Sequence, residues 1–241
     1  MITEGQIMKK MNIGLVGAGF MGKAHMVAFS NMPKLFTDAP FIPVFKTVCD
    51  IVPEIAEDFK ERYGFEKACT DWMDIINDPE IDIVSVCTPN NQHAAVSIAA
   101  LKAGKHVICE KPIASTTEDA KAMAEAAAEA AKKGIVSMNG YQYRRVPAID
   151  EAKKIIESGR LGELTNIRTQ YLQSWSADPS SPLSWRFEKQ LPEQEHLVIL
   201  LHMHWILLSI LQEIFLKLFL LLKHISLNVR YRRAELTFLV L

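Results

Sequence analysis

A glycine-rich turn near the start of the chain constrains its fold more than any other feature. The apolar run 13–16 is followed by three glycines in the spacing GxGxxG, and a helix-forming segment begins within that spacing. In a strand–turn–helix unit these glycines permit a tight turn, close approach of the backbone to a pyrophosphate, and close packing of the helix. The phosphates would lie on the amides at the positive end of the helix. The predicted contacts are Gly17, Gly19, Phe20, Met21 and Gly22. A purely structural glycine turn is the alternative.

Short apolar runs alternate with helical segments from Asn12 to about Asn139. The runs are nearly continuous in apolar residues, as expected when both faces of a parallel sheet are covered. The predicted strands are 11–16, 44–50, 81–87, 106–110 and 134–139, and the predicted helices are 19–30, 53–63, 71–77, 92–103 and 116–132. This alternation predicts an α/β fold, a doubly wound parallel sheet of the Rossmann type.

Asp50 ends the second predicted strand, where dinucleotide-binding domains place an acid for the ribose hydroxyls. It lies further along the chain than the usual ~20 residues, because a proline-rich insertion at 33–43 lengthens the connection. A carboxylate repels a 2′-phosphate and no arginine follows at once, so NAD is the predicted cofactor rather than NADP. The alternative is an exposed carboxylate at a strand end with no ligand.

Two polar runs follow later predicted strands, Thr-Pro-Asn-Asn-Gln-His at 88–93 and Glu-Lys-Pro at 110–112. Open α/β sheets bind ligands at the carboxyl ends of their strands. Lys111 is either the partner of Glu110 in a structural ion pair or a cation in the site. In the second case it would hold a substrate hydroxyl and favour alkoxide character during hydride transfer. His93 alone is also compatible with a surface position at a helix N-terminus.

The overall composition limits the classes of partner. With 23% charged residues and a formal net charge of −1, the chain has no electrostatic reason to bind nucleic acid or an anionic membrane. The cysteines form no CxxC pair, which predicts buried free thiols in a reducing cytoplasm and no metal site. They are Cys49, Cys69, Cys87 and Cys109. The first residues include an acid and lack an apolar core, so no signal peptide is expected.

The character of the chain changes after Tyr143. A helix is predicted at 147–158 and a strand at 164–172, followed by a loop rich in proline, serine and tryptophan. No glycine follows Gly162, and residues 191–241 are crowded with leucine. Because an α/β domain should not lose its turn residues so abruptly, three regions are predicted. They are a Rossmann domain at 1–142, the start of an incomplete α+β substrate domain at 143–190, and an aberrant leucine-rich helical tail at 191–241.

The tail is predicted to be the product of a frameshift. When each codon is taken one base earlier, Met203-His204 must encode alanine and Trp205-Ile206 must encode aspartate. The shifted frame can then spell AGAGALGDIASHALDIA across residues 192–208. The alternative is a membrane anchor at 197–222, which is long enough to span a bilayer. Glu213 and Lys217 lie inside it, and each would cost roughly 2.5–3.5 kcal/mol near the bilayer centre, so a membrane partner is not expected.

Four strings together resemble the Gfo/Idh/MocA oxidoreductase family: GLVGAGFMGKAH, SVCTPNNQH, ALKAGKHVICEKPIA and YQYRRVPA. The later string YLQSWSADPSSPLSWRF is similar to the sugar and inositol dehydrogenases within it. The resemblance implies NAD-dependent oxidation of a ring hydroxyl of a sugar or cyclitol to a ketone, in a homo-oligomer. It makes Lys111 the catalytic lysine. It also implies cofactor contacts by Thr88, Asn90, His93 and Glu110, in addition to the glycine turn and Asp50.

Two departures from the family pattern bear on activity. Gln142 stands where this branch usually has asparagine, and no Asp-x-x-x-His segment, the source of the acid/base histidine, follows Phe187. The predicted substrate contacts are Tyr143, Arg144, Trp175, Trp185 and Arg186, since aromatic faces suit the CH surfaces of sugars. These side chains are equally compatible with packing at the domain junction and in the second core. The rival function is a non-catalytic protein that retains only NAD(H) binding.

Overall fold

The computed structural model describes residues 9–162, and its central feature is one parallel sheet. The strands are β1 (Lys10–Val16), β2 (Ile42–Cys49), β3 (Lys67–Cys69), β4 (Ile83–Val86), β5 (His106–Cys109) and β6 (Ser137–Asn139). Their order is β3-β2-β1-β4-β5-β6. From β1 the chain builds the sheet outward to β3 on one side and then, from β4, outward to β6 on the other side. Ligands bind at the carboxyl ends of the strands where the strand order reverses in this way. The predicted Rossmann sheet is confirmed.

Helices connect the strands and cover both faces of the sheet. They are α1 (Phe20–Leu35), α2 (Pro53–Tyr63), α3 (Met73–Asn77), α4 (Asn90–Lys102) and α5 (Thr117–Ala131). A further helix, α6 (Pro147–Glu157), follows β6 in the chain and connects no strands. Local signals explain several boundaries. The Thr116 hydroxyl accepts a hydrogen bond from the Asp119 amide at 3.1 Å and caps α5. Gly64 ends α2 in the left-handed conformation with φ of 74°.

The strands predicted at 81–87 and 134–139 are shorter, Ile83–Val86 and Ser137–Asn139, and three further differences from the predicted elements have a local cause. Strand β3 was missed because three residues are too few to show a periodic pattern. Helix α1 continues to Leu35 and includes Pro33, so the proline-rich connection is shorter than expected. Helix α3 begins at Met73 rather than Asp71, because the Asp71 carboxylate accepts a hydrogen bond from the Met73 amide at 2.9 Å in the turn before the helix.

Apolar residues form two clusters, one on each face of the sheet. Along β1, Ile13 and Leu15 belong to the cluster that contains Phe59 of α2. The next residue, Val16, belongs to the other cluster with Ile75 of α3. Successive strand residues point to opposite faces, so this distribution explains the continuous apolar runs. The carboxyl edge of the sheet is thereby held between two packed layers.

The chain divides into two compact units between Tyr141 and Gln142. In the second unit the structure describes a 3₁₀ turn at Gln142–Arg145 and helix α6, followed by Gly159 with φ of 73°. The predicted strand at 164–172 and the leucine-rich region lie outside the described residues. No helix within residues 9–162 combines the length and apolar character needed to cross a bilayer, and segment 197–222 is also outside the described part.

Candidate cofactor and active site

The glycine turn fits tightly between β2 and β4 but is open on one side. Gly17 has φ of 98°, and a Cβ atom there would lie 2.6 Å from the Cys87 carbonyl oxygen. A Cβ atom on Gly22 would lie 2.4 Å from the Gly17 carbonyl oxygen. Around Gly19 nothing lies within 4 Å of the Cβ position. Gly17 and Gly22 are therefore required by the protein itself, whereas Gly19 leaves space for a ligand.

Helix α1 begins beside the open space at Gly19, with the backbone amides of its first turn. Gly19 is the N-cap residue and supplies no side-chain cap. The first amides of a helix have no partner within the helix, and they bind anions such as a pyrophosphate. Phe20 follows the cap with 84% of its surface exposed. The backbone at this end of α1 can therefore bind the phosphates predicted for it.

Asp50 follows β2 directly and is fixed by two backbone amides. One carboxylate oxygen accepts from the Ala18 amide at 3.0 Å, and the other accepts from the Val52 amide at 3.1 Å. Each carboxylate oxygen has two lone pairs, so both retain capacity for a hydroxyl donor. The structure thus joins Asp50 to the glycine turn, in addition to the ribose contact predicted from the sequence.

Thr88 and Asn90 lie after β4 at the same edge of the sheet. Among residues 9–162, the Thr88 hydroxyl oxygen and the Asn90 amide nitrogen are buried polar atoms without a hydrogen-bond partner. Buried polar groups are nearly always satisfied, and these two atoms at the edge of the sheet that carries the glycine turn have hydrogen-bonding capacity left for a polar ligand. Together with the open space at Gly19, they fit the predicted dinucleotide.

His93 lies in the first turn of α4 and is only 1% exposed. Its Nδ1 lies 2.7 Å from the Pro112 carbonyl oxygen and its Nε2 lies 3.0 Å from the Thr88 carbonyl oxygen. The imidazole therefore joins the segments after β4 and β5 and does not face open space. His93 thus supports both segments, and the cofactor contact implied by the family resemblance stays a prediction. Its burial excludes the surface position considered for it.

Glu110 follows β5 and belongs to a buried network that the sequence did not reveal. One carboxylate oxygen lies 3.1 Å from His25 Nε2, and the other accepts from the Lys111 amide at 3.2 Å. His25 Nδ1 lies 2.8 Å from the Ser85 hydroxyl. Glu110 is 4% exposed and no Cβ would fit on Gly140, since it would lie 2.6 Å from the carboxylate. Glu110 thus links α1, β4 and β5, and its predicted cofactor contact stays a prediction.

His25 is the functional candidate that sequence reasoning missed. The buried residues of α1 are Gly22, His25 and Met26, spaced three and four residues apart on one face of the helix. This spacing could have predicted that His25 is buried, because the sequence already places Gly22 on the face of the helix that packs closely. A histidine on that face must find buried polar partners, and Ser85 and Glu110 supply them.

Lys111 stands directly after Glu110 at the carboxyl edge of β5. It is half-buried and joined to Pro112 by a cis peptide bond. Tyr143 and Arg144 lie in the 3₁₀ turn of the second unit. Trp175, Trp185 and Arg186 lie outside the described residues. The structure therefore brings together the glycine turn, Asp50, Thr88, Asn90 and the Glu110–Lys111 segment at one edge of the sheet.

Comparison with known proteins agrees with this geometry. The family model described as "Oxidoreductase family, NAD-binding Rossmann fold" matches residues 11–139, which is more than half of the chain. The chain belongs to the Gfo/Idh/MocA oxidoreductase family. A model of the C-terminal domain of this family matches residues 149–214. The amino-terminal unit is thus an NAD-binding Rossmann domain.

The relatives that the chain matches include sugar and cyclitol dehydrogenases. Levoglucosan dehydrogenase of Pseudarthrobacter phenanthrenivorans is 50% identical over 184 residues, which are 76% of this chain and 46% of the relative. Myo-inositol 2-dehydrogenase of Thermotoga maritima is 32% identical over 71% of this chain and 47% of its own length. The structure of levoglucosan dehydrogenase with NADH and levoglucosan aligns with a TM-score of 0.70 and 51% identity, covering 75% of this chain and 48% of that one. The chain spans about half the length of the curated relatives it matches.

Proposed function

We propose that this chain is the cofactor-binding part of an NAD-dependent dehydrogenase that oxidises a ring hydroxyl of a sugar or cyclitol to a ketone. The observation that carries this proposal is the position of Lys111. It follows β5 at the carboxyl edge, where the sheet also presents the glycine turn and the unpartnered atoms of Thr88 and Asn90. The similarity to levoglucosan and inositol dehydrogenases supports the choice of substrate class.

In this proposal Lys111 contacts the reacting oxygen. Bound NAD⁺ supplies the hydride acceptor. The Lys111 ammonium group donates a hydrogen bond to the substrate hydroxyl oxygen and stabilises the negative charge that develops on it. The Glu110 carboxylate holds the Lys111 amide, and His25 holds the Glu110 carboxylate. These two residues therefore position the backbone that carries the lysine.

The proton of the hydroxyl needs a base, and this step separates two candidate functions. In the family the base is the histidine of the Asp-x-x-x-His segment, which has no recognisable counterpart after Phe187. Without a base the lysine alone is a poor catalyst of hydride transfer. This observation favours a second candidate, a chain that binds NAD(H) but turns over little or no substrate.

The remaining proposed contacts concern the substrate and the assembly. We assign Tyr143, Arg144, Trp175, Trp185 and Arg186 to the sugar side of the site, where aromatic rings would face CH groups. Cytoplasmic placement and a homo-oligomeric state are likewise proposed. The free cysteines of the described region fit a reducing compartment.

The test combines a binding measurement with a turnover measurement on the full chain. NADH binding is followed by fluorescence, and NADH formation is followed with NAD⁺ and either levoglucosan or myo-inositol. Turnover on either substrate supports the dehydrogenase. Saturable NADH binding without turnover supports the non-catalytic alternative. A chain that folds but binds no NADH would contradict both.

A further inference from the structure

Cys49 and Cys69 occupy directly opposite positions on neighbouring parallel strands. Cys49 ends β2, Cys69 ends β3, and the two are paired in the register of the sheet. Both side chains lie on the same face, within one apolar cluster. Neighbouring strands lie about 4.8 Å apart, and disulfide-bonded residues have Cα atoms roughly 4.4–6.8 Å apart. The two cysteines are thus within bridging range without separation or sliding of the strands.

The two thiols are chemically different because they contact each other. The Cys49 thiol donates a hydrogen bond to the Cys69 sulfur, which lowers the pKa of Cys69 and raises the pKa of Cys49. Burial opposes part of this effect at Cys69, as do Asp74 and Asp71, and the Cys69 thiol itself donates a hydrogen bond to the Asp71 carbonyl oxygen at 3.4 Å. Cys69 is half-buried whereas Cys49 is buried. A thiolate is the reactive form of cysteine, so Cys69 is the nucleophile and Cys49 the resolving partner.

The other two cysteines of the described region provide an internal contrast. Burial raises the pKa of Cys109 to about 12, and it raises the pKa of Cys87 as well. Cys109 is paired with Val86 in the register between β4 and β5. Since successive residues point to opposite faces, Cys87 is turned away from Cys109. These two thiols are expected to stay reduced under mild oxidation.

We propose that Cys49 and Cys69 form a peroxide-sensitive dithiol whose closure to a disulfide weakens NAD(H) binding. The Cys69 thiolate attacks one oxygen of hydrogen peroxide, the O–O bond breaks, and the departing hydroxide takes up a proton to leave as water. Cys49 sulfur then attacks the sulfenic acid of Cys69, the S–S bond forms, and a second water leaves with the Cys49 proton. The two thiols lose two electrons, and the peroxide gains them.

Closure affects the cofactor site because the backbone of both cysteines supports it. The Cys49 carbonyl accepts a hydrogen bond from the Gly17 amide at 2.9 Å, and the Cys69 carbonyl accepts one from the Asp50 amide at 3.2 Å. The strands need not slide, but fixing the two sulfur atoms about 2.05 Å apart requires a local backbone adjustment at both strand ends, and this adjustment moves the two carbonyls relative to the turn and to Asp50. We expect NADH affinity to fall about tenfold. By linkage, bound NADH slows formation of the disulfide.

The experiment uses the full chain and needs no enzymatic turnover. The protein is exposed to increasing hydrogen peroxide, with and without NADH, and its remaining free thiols are alkylated. Intact mass then counts the alkylated thiols, peptide mapping locates any disulfide, and fluorescence gives the NADH affinity before and after reduction with dithiothreitol. Circular dichroism checks that each sample remains folded.

The variants separate the pair from the other thiols. Cys49→Ser and Cys69→Ser should each prevent the loss of two alkylation sites and protect NADH affinity from peroxide. The double variant Cys87→Ser/Cys109→Ser should behave as the unmodified chain does. Cys49→Ala and Cys69→Ala replace the serine variants if these do not fold.

Three results would overturn the inference. The first is a disulfide that includes Cys87 or Cys109, and the second is overoxidation of Cys69 while Cys49 remains a free thiol. The third is a Cys49–Cys69 disulfide that forms without changing NADH affinity, which would remove the link to the cofactor. The inference requires NAD binding only, so a chain that binds NADH without turnover still tests it.

Discussion

The Asp50 carboxylate holds the Ala18 and Val52 amides, and we propose that it also binds the ribose hydroxyls of the cofactor. We expect the unmodified chain to prefer NADH to NADPH, because the carboxylate repels a 2′-phosphate. Asp50→Ala should lower the ratio of the NADPH dissociation constant to the NADH dissociation constant about tenfold. Fluorescence titration with both nucleotides measures it. Asp58→Ala, which removes an exposed carboxylate of α2 that pairs with Arg62, is the matched control. Equal affinities of the unmodified chain for both nucleotides would contradict the role of Asp50.

Lys111 is the residue on which the proposed chemistry depends. In a version of the protein with a complete second domain, Lys111→Ala should lower kcat at least about a hundredfold, because charge on the reacting oxygen develops only in the transition state. NADH affinity should stay nearly unchanged. Lys102→Ala, at the exposed end of α4, controls for the loss of a positive charge. A near-normal kcat for Lys111→Ala on the best substrate would refute the assignment.

At the scale of elements, Gly17 and Gly19 of the glycine turn should differ in how strongly an added Cβ atom affects folding. Gly17→Ala should destabilise the domain by about 2 kcal/mol or more, because φ is 98° and the new Cβ would lie 2.6 Å from the Cys87 carbonyl oxygen. Gly19→Ala should leave folding nearly unchanged, since nothing lies within 4 Å, but should weaken NADH binding. Urea unfolding and NADH titration of both variants provide the comparison. Equal stability of the two variants would show that the turn is not packed as described.

The His25 network ties α1 to β4 and β5. His25→Ala should lower the free energy of unfolding by about 3 kcal/mol, because it leaves one oxygen of the buried Glu110 carboxylate without its donor. His25→Gln keeps a donor and should cost clearly less. The urea midpoint at constant m-value reports the difference. If both variants lose the same stability, the side chain contributes packing rather than the hydrogen bond.

At the scale of the whole molecule, the predicted frameshift after residue 190 can be tested on the gene alone. The C-terminal family model matches as far as residue 214, so family-like content is recognised in the present reading frame beyond residue 190. We nevertheless propose that the coding sequence, taken one base earlier, continues the family pattern with Asp-x-x-x-His near residues 198–203. Sequencing the gene through this region decides the point. Stop codons in the shifted frame would establish the present frame as the true one.

Much of the site followed from the sequence because its signals are local. The glycine turn, Asp50 and the Glu-Lys-Pro run each lie directly after an apolar strand, and parallel strands present their carboxyl ends at one edge. The short strand β3 was missed because three residues carry no periodicity. Its pairing with β2 joins residues that are about 20 positions apart in the chain, so no local pattern predicts it.

The sequence by itself determined the alternating α/β order, the NAD-binding turn and the place of Lys111, since each depends on residues within a few positions of one another. Only the tertiary structure decided which polar side chains meet. His25 lies 60 residues from Ser85 and 85 residues from Glu110, and Cys49 meets Cys69 through the pairing of β2 with β3. These contacts depend on the order of strands in the sheet, which arises from packing on both faces and not from any local pattern.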